Sequence, residues 1–518
     1  MILRRVIYGF VFCLYAIHSN GQFGRSGTPV SWNIPEESSL VSTWYTLPDI
    51  DEQSLIAEDQ ESSWDRSKPF RFAFAHNVDL SPDNSGRWTN LNNGDRIWIL
   101  GISCPDAHSI ALTFENINFP RGARLYVYSE DHNNYIGPLN SGDNTTGHIG
   151  TPHISGDRIV IEYYEPYAYR GRGSFNIDFV TQSYKDLTDS EIMEQMTCYE
   201  QVDPLGNSSS FSQVASSVMM MIVDYGQSVV TSTLINNSSS DGTPYVLASS
   251  SSLIGPPSSW VFLCDVSNYK CRDFFNCDVN SISGATIVKT DTEQGVALLQ
   301  LNHAPESEWE PYFSGWKLTE DEDALFYSSF HHSLGMPLAY SSYSPSAIST
   351  LQDGRNVLSF DLNGSGRTYQ GSLGAPLFDN ELNVIGIFVG GNSECGGEGN
   401  DQYVMLGDSW SKFKTFLDPL RIVQDKFEGS FQTVEYKGAD TKESGLTFFP
   451  NPAQSWIYLQ TDGEEQVDLV TIFNSTGQVV QTMKPIVPTI SLDGLPEGLY
   501  VLQIEVGVKV YQEKLLIR

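Results

Sequence analysis

The chain has 518 residues and carries 30 Lys and Arg against 63 Asp and Glu, a formal charge of −33. That length is room for about three domains with cores of their own. A balance so acidic disfavours nucleic acid and anionic membrane as partners, and fits a soluble surface protein that repels its own copies.

The N-terminus reads as a targeting segment over residues 1–21. Arg4 and Arg5 precede the apolar run "VIYGFVFCLYAI", and Ser19 and Gly21 are small enough for a signal peptidase site before Gln22. The run is too short to span a bilayer. Cys13 sits inside it behind bulky Phe12, a poor context for acylation. Export leaves Cys104, Cys198, Cys264, Cys271, Cys277 and Cys395, an even number that suggests disulfides whose pairing spacing alone cannot choose. Their spacing matches no zinc pattern, so neither a metal nor a cofactor is expected.

Residues 22–66 are read as an extended N-terminal segment. Residues 67–185 then show short β-rich runs, "DRIWILGIS", "LTFENINFPRGARLYVYSED" and "GDRIVIEYYEP", separated by polar turns. That rhythm predicts an antiparallel sandwich or jelly roll. In the order of Trp98 and those stretches the block also resembles the N-terminal pro-region of lysyl-endopeptidase-like proteins of Bacteroidetes-type bacteria, which implies a folding aid or inhibitor.

From 196 to 420 the landmarks run Cys198, "TSTLINN", "TPYVLASSSSL", "GVALLQLN", "FHHSLG", "GSLGAPLFDNELNVIG", a cysteine after Gly-Gly, "DSW" and "FLDP". This ordered series resembles the trypsin-like domain of the same family, implying two six-stranded β-barrels with a cleft between them. Residues 421–442 are polar and weakly patterned, as a linker would be. In 443–518, Tyr500, Leu502 and Ile504 alternate with Val501 and Gln503, as in half-buried strands. "LTFFPNPAQS", "VDLVTIFNSTGQVV" and "SLDGLPEGLYVLQIE" resemble the type A C-terminal sorting domain of the type IX secretion system, an Ig-like sandwich. The resemblance implies passage through the periplasm to the cell surface or medium, the type IX machinery as partner, and attachment to surface lipopolysaccharide or release once the domain is removed. The fold class expected is all-β throughout.

A serine peptidase needs a hydroxyl, an imidazole to take its proton and a carboxylate to orient that imidazole. The family's Gly-Ser-Ser-Gly-Ser-Pro turn corresponds to Gly371-Ser372-Leu373-Gly374-Ala375-Pro376, which places Leu373 where the nucleophile belongs. The run ending in Ala-Ala-His-Cys corresponds to Ala248–Ser252 with Ser251 in place of the histidine, and Asp-x-Ala-Leu-Leu corresponds to Gly295–Leu299 with Gly295 in place of the aspartate. Three losses at three separately anchored places imply a pseudo-peptidase with no catalytic residues, leaving the Gly371 and Leu373 backbone as a vestigial oxyanion hole. By the same resemblance Cys198 pairs with Cys395. Ser372 reads as a structural hydroxyl, His331 and His332 as packing residues, the Ser249–Ser252 run as a degenerated loop, and "TEDEDA" at 319–324 as a solvated acidic loop. The function expected is that of a secreted or cell-surface module, holding a peptide or protein ligand in its cleft or serving as a scaffold. An active serine endopeptidase using unrecognised residues, and a purely structural surface protein, are the alternatives.

Overall fold

A computed structural model of the chain describes residues 44–186, 209–264 and 280–431 with short breaks, isolated stretches between 22 and 41 and around 200, and the strands of 446–517. Residues 1–21 and most of the acidic run at 319–324 lie outside the described residues. By its contacts the chain divides into Met1–Gln432 and Thr433–Arg518. Among the described residues, no helix is long and apolar enough to cross a membrane.

The strand Arg96–Ser103 shows why the first block folds as it does. Its alternate residues Trp98, Leu100 and Ile102 face one core, shared with Leu112 and Phe114 from Ser109–Asn118 and with Ile159 and Ile161 from Arg158–Glu165. Ile97 and Ile99 point the other way, under Val30, Trp32, Val41 and Trp44. A strand covered on both faces reads as a nearly unbroken apolar run. One sheet orders Thr145–Gly150, Ser109–Asn118, Ser174–Ser183 and Ala73–Leu80, and the facing sheet orders Trp44–Thr46, Arg96–Ser103, Arg158–Glu165, Arg124–Ser129 and Tyr135–Leu139. This is the expected sandwich. The N-terminal segment departs from expectation. Glu52–Ser62 is a helix that buries no residue, and Trp44–Thr46 joins a sheet, so 22–66 is not simply extended. The helix escapes a periodicity reading because it has no apolar stripe.

The next sheet runs Asn280–Ser283, Val261–Cys264, Val218–Val223, Ser228–Ile235, Tyr245–Ser249, Val296–Leu301 and Ala285–Asp291. Asn280–Ser283, which also carries the short strand Gln22–Phe23 on its outer edge, and the end strand Ala285–Asp291 are consecutive in the chain on either side of Gly284, whose φ of +80° makes the corner, so the sheet curls back on itself. A second sheet orders Ala339–Tyr343, Tyr327–His331, Pro376–Phe378, Val384–Gly391, Asn400–Met405, Asn356–Asp361 and Ala347–Thr350. The helix Leu406–Leu417 follows it and buries Leu406, Phe413 and Leu417 along one side. The sandwich is joined to the first barrel by strand pairing just ahead of it and by side-chain bonds to main-chain carbonyls. Phe70 and Arg71 pair with Val229 and Ser228, Ser283 Oγ donates to the Gly150 carbonyl, and His153 Nε2 lies 2.9 Å from the Gly226 carbonyl.

Residues 421–431, expected as the start of a linker, belong instead to the barrels. Lys426–Phe427 pairs with Trp316–Lys317, and Ser430–Phe431 pairs with Tyr312–Phe313. A few apolar residues in a polar stretch are enough here, because Val423 and Phe427 pack against the core around Trp316. The unit Thr433–Arg518 is itself two-layered, with strands Leu446–Phe449, Trp456–Thr461 and Thr489–Ser491 in one sheet and Val479–Met483, Leu469–Asn474, Gly498–Val506 and Lys509–Ile517 in the other. Ile457 and Ile490 meet Tyr500, Leu502 and Ile504 between the layers, as the alternation predicts.

Candidate active-site cleft

Two glycines shape the turn at 371–376. Gly371 has φ +93° and Gly374 φ +89°. A Cβ on Gly371 would lie 2.7 Å from the His332 carbonyl oxygen, and one on Gly374 would overlap the Thr231 carbonyl oxygen. The turn is tied internally by Ser372 N–H to Tyr369 O (3.1 Å) and Ala375 N–H to Ser372 O (2.9 Å). It is tied to the first barrel by Thr231, whose N–H donates to Leu373 O at 3.0 Å and whose hydroxyl donates to Gly371 O at 2.8 Å. Leu373 is 0% exposed and belongs to the apolar cluster of Met221, Ala248, Trp260 and Leu299, with Leu253 against it. The position expected for a nucleophile thus holds a core residue of the neighbouring barrel.

The other two positions lie beside it. Ser251 is exposed on a single turn, Ser250–Ser252, and its Oγ is 2.9 Å from Ser249 Oγ. The Ser250 N–H donates to Gly295 O at 2.9 Å, and Ser249 Oγ reaches the same carbonyl at 3.3 Å. A Cβ on Gly374 would be 3.0 Å from the Ser249 nitrogen, which closes the circle. The structure therefore brings Ser251, Gly295 and the Leu373 turn together, and these three residues carry neither an imidazole nor a carboxylate. Asp291, four residues before Gly295, is no substitute. Burial works against its ionised form, yet its bond to Lys412 Nζ at 2.6 Å, with help from neighbouring donors, holds its carboxyl below the usual range.

A second constellation starts from Ser372, the neighbour of Leu373 in the turn. Ser372 Oγ is 2.6 Å from Ser333 Oγ, Ser333 Oγ is 2.9 Å from His331 Nδ1, and His331 Nε2 is 3.0 Å from Ser341 Oγ. A hydroxyl linked to an imidazole has the ingredients of an activated nucleophile. All four residues are fully buried, however, so nothing can reach the hydroxyl. Burial also pushes His331 down to about 3 and His332 down to about 4, which keeps both rings neutral. The histidines are core residues that carry hydrogen bonds.

Sequence reasoning missed the residues just beyond this network. Asp401, on the strand Asn400–Met405, accepts from Thr368 Oγ1 and Ser393 Oγ at 2.8 and 2.7 Å, and Arg66 Nη1 meets it at 3.3 Å. It also missed Glu115, His148 and Asp178, whose ligand atoms lie within 4.8 Å of one another in the sandwich. These are donor types that a metal ion accepts. In the structure His148 Nε2 is paired at 2.9 Å with Asp178 Oδ2.

Cys198 is disulfide-bonded, and Cys271, Cys277 and Cys395 lie outside the described residues. Cys104 is a buried free thiol, pushed up to about 12 by burial and then by Asp157.

Residues 192–404 match the family described as lysyl endopeptidase, C-terminal domain, and residues 447–518 match the secretion system C-terminal sorting domain. Among solved structures, the chain is similar to the active form of the Rv3671c protease from M. tuberculosis, at 15% identity over 42% of this chain and 88% of that one, with a TM-score of 0.30. It is similar to Deg5 at 11% identity over 40% of this chain and 92% of that one, with a TM-score of 0.28. The MamO protease domain from Magnetospirillum magneticum aligns at 12% identity over 39% of this chain and 97% of that one, also at 0.28.

Proposed function

We infer that this lysyl-endopeptidase-like chain, exported to the cell surface or medium by way of its type IX sorting domain, binds rather than cuts. Its peptidase-like domain acts as a pseudo-peptidase, a peptide- or protein-binding module on a secreted scaffold. The observation that carries this reading is the burial of Leu373 at the nucleophile position, beside a Ser251 and a Gly295 that supply neither base nor orienting acid. Triad members act as a unit, and loss of one already removes most of the rate enhancement. The Gly371 and Leu373 backbone is then what remains of an oxyanion hole.

The purified chain is expected to take no label from a fluorophosphonate probe and to leave fluorogenic peptides intact. Labelling that disappears on Ser372→Ala would overturn the reading, because it would turn the buried Ser372–Ser333–His331 chain into a working site.

Deleting residues 443–518 is expected to strand a folded remainder in the periplasm, since those residues form a separate unit with its own core. Cell fractionation checks this, and normal surface appearance of the truncated protein rejects it. Attachment to lipopolysaccharide after removal of the sorting domain is the surface-bound outcome we propose.

Cys198 is proposed to bridge Cys395. Closing a loop of that length stabilises the domain by about 5 kcal/mol in the chain-entropy account. Non-reducing peptide mapping is expected to recover the Cys198–Cys395 pair, and Cys198 joined to any other cysteine rejects it.

A further inference from the structure

One sheet of the sandwich gathers three side chains from three adjacent strands on the face turned away from its core. Leu112 and Phe114 of Ser109–Asn118 point into the core, which leaves Glu115 on the other face. His148, on Thr145–Gly150, is the direct cross-strand partner of Glu115. Asp178 comes from Ser174–Ser183 on the opposite flank. Both flanking strands carry an extra residue at this level: Thr145 to His148 spans Ile117 to Glu115, and Ile177 to Phe179 spans Phe114 to Thr113. Such bulges re-aim side chains, and here they bring an imidazole and a carboxylate to either side of Glu115.

His148 Nε2 lies 2.9 Å from Asp178 Oδ2 and 4.0 Å from Glu115 Oε2. Two donors bound to one zinc ion at about 2.0–2.2 Å stand about 3.4 Å apart at the tetrahedral angle, so these separations close on an ion with small side-chain rotations. One oxygen of the cluster is orphaned. Asp178 is 8% exposed, and its Oδ1 is buried with no hydrogen-bond partner. A carboxylate oxygen left in that state is costly, and a cation held by the same carboxylate satisfies it. Asn176 Nδ2 steadies Glu115 by donating to Oε1 at 3.3 Å. The Glu115 and His148 side chains keep 31% and 26% of their surface exposed, which gives an ion a way in.

We propose that Glu115, His148 and Asp178 form a binding site for a divalent metal ion of the zinc class. Two carboxylates and the neutral imidazole that a metal requires match a doubly positive ion, and the nitrogen donor favours zinc over magnesium or calcium. The site lies at the seam with the first barrel. The Tyr225 ring stacks on Phe179 at 4.0 Å and meets the His148 ring edge-on at 6.0 Å, and His148 N–H donates to Ser258 Oγ at 3.1 Å. A bound ion ties three strands together at the face that docks on the barrel, and so stabilises the folded unit. This role goes beyond the peptide-binding function and does not depend on it.

The test titrates Zn²⁺ into the full-length chain, stripped with EDTA and dialysed, in an excess of Mg²⁺ that masks the acidic surface. Wild type is expected to take up a single equivalent with saturation, and to melt a few degrees higher at about 100 times the Kd of free zinc. His148→Gln and Asp178→Asn should each weaken uptake more than about 100-fold, since loss of an outer partner alone costs about 10- to 100-fold. Glu115→Gln, at the most exposed of the three positions, should show the same loss and keeps the test open if either other variant fails to fold. Co²⁺ in place of zinc should give visible absorption without a thiolate charge-transfer band. Absence of saturable uptake by wild type overturns the site. So does uptake that survives unchanged in a folded Glu115→Gln, or a cobalt spectrum that carries the thiolate band.

Discussion

Leu373→Ser is expected to destabilise the double barrel by about 3–5 kcal/mol and to produce no measurable peptide hydrolysis. The first effect follows from removing a side chain that is 0% exposed and packed with Ala248, Trp260 and Leu299. Deleting a buried leucine side chain leaves a cavity, and the new hydroxyl adds the cost of a polar group in apolar surroundings. The second follows from chemistry, since a serine hydroxyl with no imidazole to take its proton is little better than water. Urea titration of wild type and variant measures the stability change, and a fluorogenic peptide assay measures activity. An unchanged midpoint, or turnover by the single variant, contradicts the placement of Leu373.

Restoring the rest of the triad meets a specific obstacle. Ser251 is exposed, so Ser251→His is tolerated sterically. Gly295 has φ +83°, and a Cβ built there lies 2.9 Å from Arg355 Nη1. The carboxylate of Gly295→Asp would pair with that guanidinium instead of steering the new imidazole. The triple variant should therefore recover little activity until Arg355→Gln is added, a strongly non-additive pattern.

Acid is expected to loosen the Met1–Gln432 unit well above the usual carboxylate range. Burial lowers His153 and His332 to about 4 and His331 to about 3. In the unfolded chain each takes a proton near pH 6.5. Between these values the unfolded state binds more protons than the folded one, so stability is full above about pH 6.5 and falls as pH drops below it. Each histidine removes up to about 1.4 kcal/mol per pH unit in that window. Asp143, lifted to about 6 by burial, works in the opposite sense, as do Asp178, Asp224, Asp379 and Asp408, which burial also raises, while His76 and His303, lowered by burial, act with the three histidines. Melting temperatures at pH 7.5, 6.5 and 5.5 should be similar for the first pair and several degrees lower at the last. A flat profile to pH 5.5 rules the mechanism out.

Where physical signals were local, the sequence was readable. The alternation of Tyr500, Leu502 and Ile504 became the buried row of a strand, and the run around Trp98 became a strand covered on both faces. The runs that hold Ser251, Gly295 and Leu373 were readable because each is a short pattern of its own, and the fold places those runs side by side. Arg66 and Asp401 carried no such signal. They are 335 residues apart, and in "SWDRSKP" the arginine looks like any solvated charge. Burial of a charged pair is decided by tertiary structure alone. The same holds for 421–431, where a few apolar residues on a polar background suffice once Trp316 is there to receive them.

The distance between Arg66 and Asp401 also sets an order of events. Thr368, Ser393 and Asp401 all come from the second barrel, the part of the unit made last during synthesis, whereas Arg66 precedes the sandwich. Contacts so remote in sequence require the closure of nearly the whole chain between them, which makes them late in folding. An intermediate with sandwich and first barrel complete has nowhere to put the guanidinium. Seating of Arg66 thus acts as a completion mark, a contact that forms only when every part of the unit is in place.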